Sequence, residues 1–319
     1  MNKLVKKILS EPEIKDKPPV LLDIGASETV HPKWKKLAKY SVCIAFDADE
    51  RDFQFMEKEQ SNFRKLYVYN SIALDKDNDR VKFYLTKSPY CSSTLEPDLD
   101  KLKPYIHSNL FEIDKVVELK AAGLQNVLNQ LNIEYIDWFK TDSQGIDLRL
   151  FKSISDRIRE KVLIAEFEPG IIDAYKGEDK FYSVLEYLTT NQFWLSGLKI
   201  KGIPRLPREL LDSNFKGNTY KKLVKESMKT TPSWGEMTFI NRFELATFGV
   251  REYLLGWLFS TLEHHYSFAF VLAKKGISNF KKKIFYELSE ISRSQIRREV
   301  IKLKFMPSVL QVIKKTFFK

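Results

Sequence analysis

A short apolar run that ends in a glycine turn constrains this chain more than any other stretch. The run Val20–Ile24 is interrupted only by Asp23, and its length is typical of a buried strand in a parallel sheet. Gly25 follows at once, with the small residues Ala26 and Ser27 behind it. So little side chain lets the backbone approach a ligand closely, which predicts a ligand site at this strand end. The alternative is a structural turn whose acid caps the next helix.

A second acidic position lies at the end of the next predicted strand. Residues 41–46 are apolar enough to form a buried strand, and Asp47 and Ala48 follow them directly. An acid about 20 residues after a glycine turn is placed to accept hydrogen bonds from the hydroxyls of a ribose. We therefore predict that Asp47 and Ala48 contact a cofactor. Asp47 has an alternative role as a helix cap, for which Asp49 is the better candidate.

The glycine pattern indicates which cofactor this edge of the sheet suits. A dinucleotide fold needs further glycines after Gly25, but Ser27 and residues 28–30 stand there instead, so the pyrophosphate cradle is missing. Asp23 also sits badly beside a pyrophosphate and suits a cationic ligand that carries an amino-acid group. The pattern favours S-adenosylmethionine (AdoMet) over NAD, and an NAD oxidoreductase is the least favoured function.

Alternation of strands and helices predicts an α/β fold with a mostly parallel, Rossmann-like sheet and helices on both faces. The remaining strands are expected over residues 66–69, 81–85, 113–119, 135–140, 162–167, 193–200 and 236–241. Helices are expected over residues 31–39, 49–59, 98–107, 125–131, 146–154 and 181–188. Residues 245–319 have a helical pattern throughout. We divide the chain into an N-terminal extension (1–17), the α/β domain (18–243) and a basic helical C-terminal extension (244–319).

Acidic residues also follow two of the later strands. Asp142 comes after the strand over 135–140, and Glu166 and Glu168 end the strand over 162–167. Open α/β sheets bind ligands at the carboxyl ends of their strands. Asp142 is therefore predicted to orient the cofactor's amino group or an acceptor hydroxyl, and one of the glutamates to act as a general base. The alternatives are a helix cap at Asp142 and structural contacts for both glutamates.

Composition narrows the setting in which the chain works. Cys43 and Cys91 are the two cysteines, and Cys43 falls inside a predicted strand, so a reducing compartment is expected. No cluster of His, Cys and carboxylate has metal-ligand spacing, and we expect no metal. The N-terminus does not resemble a signal peptide, and no 18-residue stretch is free of charge. A cytoplasmic protein is predicted, with contact to the inner membrane surface as a further possibility.

The net charge of +11 is concentrated in the C-terminal tail, where residues 274–319 contain 13 Lys and Arg against 3 Glu. Ile296, Val300 and Leu303 recur at helical spacing between basic residues. Such a stripe beside a basic face is typical of a helix that lies on an anionic membrane, which predicts peripheral membrane contact through residues 280–319. The stripe can equally pack on the α/β domain. Nucleic acid is disfavoured, because aromatic residues are not interleaved as stacking platforms.

With these strand ends identified, the chain resembles the FkbM-type family of AdoMet-dependent methyltransferases. The matching stretches are LLDIGAS, FDAD, NSIALDKD, CSSTLEP, FKTDSQGIDLRLFKSI and AEFEP, and they span roughly residues 18–243. Ser143–Gln144 stands where a Val-Glu pair is common in the family. The resemblance implies a class I methyltransferase sheet with AdoMet as methyl donor. It also implies that Ser71 and Ile72 flank the adenine; their alternative is an ordinary strand end.

The resemblance implies O-methylation of a hydroxyl on a small molecule, sugar, glycan or glycolipid. The residues themselves predict a cofactor crevice and leave a second function open. In that alternative the chain is a non-catalytic scaffold that keeps the methyltransferase fold and binds a membrane or a polyanion through its basic tail.

Overall fold

The computed structural model describes residues 2–25, 33–46 and 62–317, and side chains as far as Leu303. Ala26, Ser27, Asp47 and Ala48 among the predicted site residues lie outside these ranges, as does the helix expected over 49–59. The chain forms two compact units, Pro18–Arg242 and a second unit made of Met1–Lys17 together with Phe243–Lys319. The segments treated above as two separate extensions thus belong to one unit, which also takes in Phe243.

The larger unit is built on a seven-stranded sheet with the order β3-β2-β1-β7-β8-β10-β9. Its strands are β1 Val20–Ile24, β2 Val42–Phe46, β3 Lys65–Tyr69, β7 Trp138–Thr141, β8 Ile164–Phe167, β9 Phe193–Pro204 and β10 Thr230–Asn241. Neighbours from β3 to β8 pair in parallel, whereas β10 pairs antiparallel with both β8 and β9. The predicted α/β class with a mostly parallel sheet is confirmed.

A second sheet of three strands has the order β4-β6-β5. Its strands are β4 Ile72–Leu74, β5 Asn78–Thr86 and β6 Ile113–Gly123. β4 pairs in parallel with β6, which brings Ile72 beside Ala121. The sequence predicts most of these residues as strands but not that they form a sheet of their own.

The helices fall into the two units as follows. The larger unit contains α3 Leu99–Leu102, α4 Leu124–Gln130, α5 Asp147–Ser153, α6 Asp156–Arg159, α7 Phe181–Thr190, α8 Arg208–Asn214 and α9 Asn218–Ser227. The other contains α1 Asn2–Ile8, α2 Pro12–Asp16, α10 Val250–Leu262, α11 Tyr266–Phe280 and α12 Lys283–Phe317. Within the described ranges, no helix is both long and apolar enough to cross a membrane.

Two helix predictions are wrong. The helix expected over 98–107 ends at Leu102, because Pro104 lacks an amide proton and cannot continue the helical hydrogen bonds. The expected helix over 31–39 is replaced, within its described part, by two 3₁₀ turns, Trp34–Lys36 and Ala38–Tyr40.

The sheet is buried on both faces, and one large core cluster lies on the face that carries Val20, Leu22 and Ile24. Aromatic rings fill the space between this face and α5, with the Phe139 ring centroid 5.0 Å from that of Phe151. Burial of these side chains is the main favourable term that fixes α5 against the ends of β7 and β8. The polar residues just beyond those strand ends are therefore held on a rigid base.

The order of the strands places a switch point beside β1. From β1 the chain runs outward through β2 and β3, and it later returns to β7 on the opposite side of β1. Ligands of open α/β sheets bind outside the carboxyl ends of the strands at such a reversal. The ends of β1 and β7 are thus the first place to look for a site.

Candidate functional site: the carboxyl ends of β1, β7 and β8

The glycine turn after β1 is locked against the end of β7. The Gly25 amide donates to the Phe46 carbonyl at 3.0 Å, and the Asp142 amide donates to the Ile24 carbonyl at 2.9 Å. Gly25 has a φ of 77°, and a Cβ on it would stand well inside van der Waals contact with the Asp142 carbonyl oxygen. Only glycine fits both the left-handed backbone and this close approach. The two strand ends are therefore in backbone contact, with no space for a side chain at position 25.

A buried ion pair lies directly beneath this turn. Asp23 and Lys140 are register partners on neighbouring strands, and the Lys140 Nζ lies 2.8 Å from Asp23 Oδ1. Asp23 is only 4 % exposed. Burial acts to lower the pKa of Lys140, but the charges of Asp23, Asp142 and Glu168 outweigh it and raise that pKa. Lys140 is thus a fixed cation, and it holds the carboxylate of Asp23.

Asp142 is half-buried at the end of β7. Its Oδ1 accepts a hydrogen bond from Gln144 Nε2 at 2.6 Å. Burial raises the pKa of Asp142, and the Lys140 charge opposes that rise. Asp142 does not cap the following helix, because α5 begins at Asp147 and the Ile146 amide there donates to Ser143 Oγ at 3.2 Å. The capping alternative for Asp142 is therefore wrong.

Asp147 is a central residue that the sequence reasoning missed. It is 1 % exposed, and its Oδ1 accepts from Thr141 Oγ1 at 3.0 Å and from the Ser143 amide at 2.9 Å. The Ser143 hydroxyl donates to the same oxygen. Oδ2 accepts from the Glu168 amide at 2.9 Å, so one carboxylate ties the end of β7 to the end of β8. Its sequence signal is an acid inside the buried apolar stripe of a helix, where solvent cannot satisfy it.

The two glutamates after β8 have different surroundings. Glu166 Oε1 accepts from Trp138 Nε1 at 2.9 Å and lies 3.4 Å from Lys33 Nζ, so this side chain makes the structural contacts given above as its alternative. No side chain in the described part of the chain hydrogen-bonds the Glu168 carboxylate. Burial raises the pKa of Glu168, the charge of Asp142 raises it further, and Lys140 opposes both. Glu168 is the glutamate that can gain and lose a proton near neutral pH.

A loop between β8 and α7 covers the segment that carries Asp142. The Tyr175 hydroxyl lies 2.9 Å from the Cys91 carbonyl oxygen and 3.1 Å from Gln144 Oε1. The loop itself is held by Glu178, whose Oε1 accepts from the Ala174 amide and from Lys180 Nζ at 2.8 and 2.7 Å. These contacts make the loop a fixed wall of the site.

The remaining predicted residues lie at the rim or outside the described ranges. Ile72 is buried with Phe83 and Ala121 in the core of the small sheet, so its side chain packs as in an ordinary strand end, while Ser71 is half-buried. A cavity of about 440 Å³ lies nearby, lined by Leu74, Leu95 and Ile146 among other residues. Its volume is within the usual range for small-ligand sites.

Cys43 and Cys91 are both free thiols, and burial raises the pKa of Cys91 to about 11. Within residues 2–25, 33–46 and 62–317, no group of three or more His, Cys, Asp and Glu side chains is placed to hold a metal ion. Comparisons of the chain with protein-family models, with curated proteins and with solved structures found no match. The geometry and charges of the site are therefore what indicates a function for this protein.

Proposed function

We propose that this protein is an AdoMet-dependent methyltransferase that methylates a hydroxyl group of a sugar, glycan or glycolipid. The observation that carries the proposal is the glycine turn at the switch point. Gly25 approaches the Asp142 backbone so closely that no side chain fits, and each of the two strands that meet there supplies a carboxylate, Asp23 from β1 and Asp142 from the end of β7. A backbone approach of this kind is useful where a ligand must lie across two strand ends.

The charge at the site supports a cationic ligand. Asp23, Asp142 and Glu168 contribute carboxylates, and Lys140 is the cation that faces all three among the residues described. An anionic pyrophosphate would be repelled by this surplus, whereas a ligand that carries a sulfonium and an ammonium group would be attracted. The surplus of carboxylates is a stronger argument for AdoMet over NAD than the absence of further glycines after Gly25.

The sheet supports the same class of enzyme. A reversal at β1 and a last strand inserted antiparallel next to an otherwise parallel sheet are the features expected of a class I methyltransferase fold. Fold alone does not determine function. The proposal therefore relies on the charges and backbone of the site, with the fold as background.

Glu168 is the residue we assign to proton transfer. AdoMet supplies a methyl carbon that its sulfonium already activates, so the protein has to hold the acceptor oxygen in line and close. The raised pKa of Glu168 suits a general base that takes the acceptor hydroxyl proton as the oxygen forms its new bond. Asp142 holds the cationic end of the donor, and Lys140 keeps Asp23 in place beneath it.

Calorimetric titration tests the proposal, with AdoMet, S-adenosylhomocysteine and NAD each added to the full chain. We expect AdoMet and S-adenosylhomocysteine to bind and NAD not to bind. Absence of AdoMet binding would contradict the proposal and favour the scaffold function. NAD binding of comparable strength would favour an oxidoreductase. Radiolabelled methyl transfer to a panel of sugars and lipid-linked glycans then identifies the acceptor.

We further propose that α12 touches a membrane surface, as a lipid-linked acceptor would require. Val300 and Leu303 of the predicted apolar stripe are 58 % and 71 % exposed, whereas Ile296 is half-buried, and exposed apolar side chains beside basic residues suit an anionic membrane surface. Each basic residue near an anionic surface contributes about 1 kcal/mol of attraction. Co-sedimentation with phosphatidylserine vesicles should therefore be strong, and Val300→Ser with Leu303→Ser should weaken it. Equal sedimentation with uncharged vesicles would contradict the proposal.

A further inference from the structure

Gln144 has a backbone conformation that a glutamine rarely adopts. Its φ is 56°, in the left-handed region, and Gly145 after it has a φ of 113°. Residues other than glycine, asparagine and aspartate are uncommon there and persist where their surroundings hold them. Gln144 lies beyond the end of β7, two residues after Asp142, whose backbone contacts Gly25. This backbone conformation is energetically costly, so contacts of Gln144 must stabilise it.

Three contacts fix Gln144. Its backbone carbonyl accepts from Ser93 Oγ at 2.7 Å, its Oε1 lies 3.1 Å from the Tyr175 hydroxyl, and its Nε2 donates to Asp142 Oδ1 at 2.6 Å. The charged carboxylate of Asp142 can only accept, so the amide nitrogen faces it, and the amide oxygen faces the Tyr175 hydroxyl, whose proton is shared with the Cys91 carbonyl. The amide therefore has one orientation, with its donor side towards Asp142.

The surroundings of Asp142 explain why such a donor matters. Asp23, Asp147 and Glu168 approach it from β1, α5 and the end of β8, and their charges act against a further negative charge. Lys140 on β7 is the opposing cation among the residues described, and it is already bound to Asp23. The neighbouring Cys91 and Tyr175 are uncharged at neutral pH, because burial raises the pKa of each. Hydrogen bonding to a carboxylate favours its charged form.

We propose that Gln144 is a positioning residue whose amide keeps the Asp142 carboxylate charged and fixed in place at the carboxyl end of β7. Gln144 occupies one oxygen of Asp142, and within residues 2–25, 33–46 and 62–303 no side chain hydrogen-bonds the other, which is open to a ligand. A glutamate at position 144 would add a fourth acidic neighbour to Asp142 in place of a hydrogen-bond donor. The identity of the ligand rests on the proposed function, whereas the effect on Asp142 does not.

The test is a direct titration of Asp142 in the full chain without ligand. Aspartate labelled with ¹³C at the carboxyl carbon reports the titration by NMR, and the Asp142 signal is the one that Asp142→Asn removes. In Gln144→Met we expect the midpoint to rise by about one pH unit, and in Gln144→Glu by more. A midpoint in folded Gln144→Met that equals the wild-type midpoint would overturn the proposal.

Two further variants separate positioning from general damage. Tyr175→Phe removes the hydroxyl that orients the amide but keeps Gln144, so we expect a smaller rise in the same direction. It also keeps the test decisive if Gln144→Met does not fold, since an unchanged midpoint in Tyr175→Phe would then overturn the proposal. Gln192→Met is the matched control, because Gln192 also has a left-handed backbone (φ 39°) but lies before β9, at the opposite end of the sheet. It should leave the midpoint unchanged.

AdoMet calorimetry on the same variants distinguishes the two proposals. We expect AdoMet to bind Gln144→Met several-fold more weakly at pH 6 than the wild type, with the difference narrowing as pH rises and Asp142 ionises. If the wild type does not bind AdoMet but the NMR midpoints shift, the proposed function fails and the role of Gln144 stands. If AdoMet binds and no midpoint shifts, the role of Gln144 fails instead.

Discussion

The segment after β7 contains two regions that treat a carboxylate in opposite ways. In the first turn of α5, Asp147 is buried and both of its oxygens accept hydrogen bonds, from Thr141, Ser143 and the Glu168 amide. In the preceding loop, Asp142 is half-buried, and Gln144 binds one of its oxygens. Burial raises the pKa of both acids. The two acids differ in how many of their carboxylate oxygens accept a hydrogen bond from the described residues: both in Asp147 and one in Asp142.

This difference indicates how a structural acid and a ligand-binding acid can be told apart. A buried carboxylate with all its hydrogen bonds made inside the protein stabilises the fold and has nothing left for a ligand. A carboxylate with one bond made and one side open is less favourable for folding and available for binding. Asp147 is then the support on which Asp142 depends, and the following substitutions test the division.

The largest effect is expected for Asp147→Ala. Its loss leaves the Ser143 and Glu168 amides without an acceptor in a buried setting, so we expect the free energy of unfolding to fall by about 3–5 kcal/mol. Urea denaturation measures it. The control is Asp156→Ala in the first turn of α6, where the side chain is 76 % exposed and a change below about 1 kcal/mol is expected. Equal losses of unfolding free energy in both variants would show that Asp147 contributes no more to stability than another acid in a first helical turn.

Gly25→Ala should come next. The added Cβ meets the Asp142 carbonyl and the backbone has a positive φ, so we expect a loss of about 2–3 kcal/mol in stability and at least a tenfold loss in AdoMet affinity. Gly177→Ala is the matched control, since Gly177 has a φ of 71° with nothing within 4 Å of its Cβ position. It should show the smaller cost of the backbone conformation alone. AdoMet affinity unchanged in Gly25→Ala would remove the glycine turn from the ligand site.

Asp142→Asn should separate binding from stability. The variant keeps the shape of the side chain but removes the charge, so AdoMet affinity should fall about tenfold while the free energy of unfolding changes by less than about 1 kcal/mol. Calorimetry and urea denaturation provide the two numbers. A large stability loss with full AdoMet affinity would reverse the roles given to Asp142 and Asp147.

The smallest effect concerns Glu168 and pH. Because its pKa is raised in the folded state, folding takes up a proton, and this contribution to stability is complete below the unfolded pKa of about 4.3. It is lost as pH rises through the raised folded pKa. Glu168→Gln should therefore flatten the decline in stability between acidic and neutral pH. Unfolding free energies at several pH values measure the slope, and an unchanged slope would contradict a raised pKa for Glu168.

Local patterns predict the parallel sheet well. β1, β2 and β8 are buried runs that end in polar residues, and short apolar runs between helical stretches are a strong signal. The small sheet is harder to predict, because β4 pairs with residues nearly 50 positions later in β6 and no local pattern encodes that partner. The long strands β9 and β10 extend well beyond their predicted ends, since their outer halves stabilise each other through cross-strand pairs.

The candidate site is predicted in outline only. The sequence indicates three of the acids, because each lies within or directly after a buried apolar run: Asp23, Asp142 and Glu168. The roles of Asp147 and Gln144 depend on which atoms meet across loops. Asp147 has only a weak signal in sequence, as an acid inside the apolar stripe of a helix, and Gln144 carries no charge at all. Hydrogen bonds between segments far apart in sequence give both residues their roles. A linear pattern does not predict such bonds.

The helical unit has a consequence for how the protein is made. Glu13 of α2 pairs with Lys282, and Lys7 of α1 with Glu287, while the Arg251 side chain donates to the Lys17 carbonyl at 2.7 Å. During synthesis, residues 2–17 leave the ribosome more than 200 residues ahead of these partners. The contiguous unit Pro18–Arg242 can fold in the meantime, because domains fold as units from the N-terminal side. The first two helices therefore stay without these partners until α10 and the start of α12 have been synthesised.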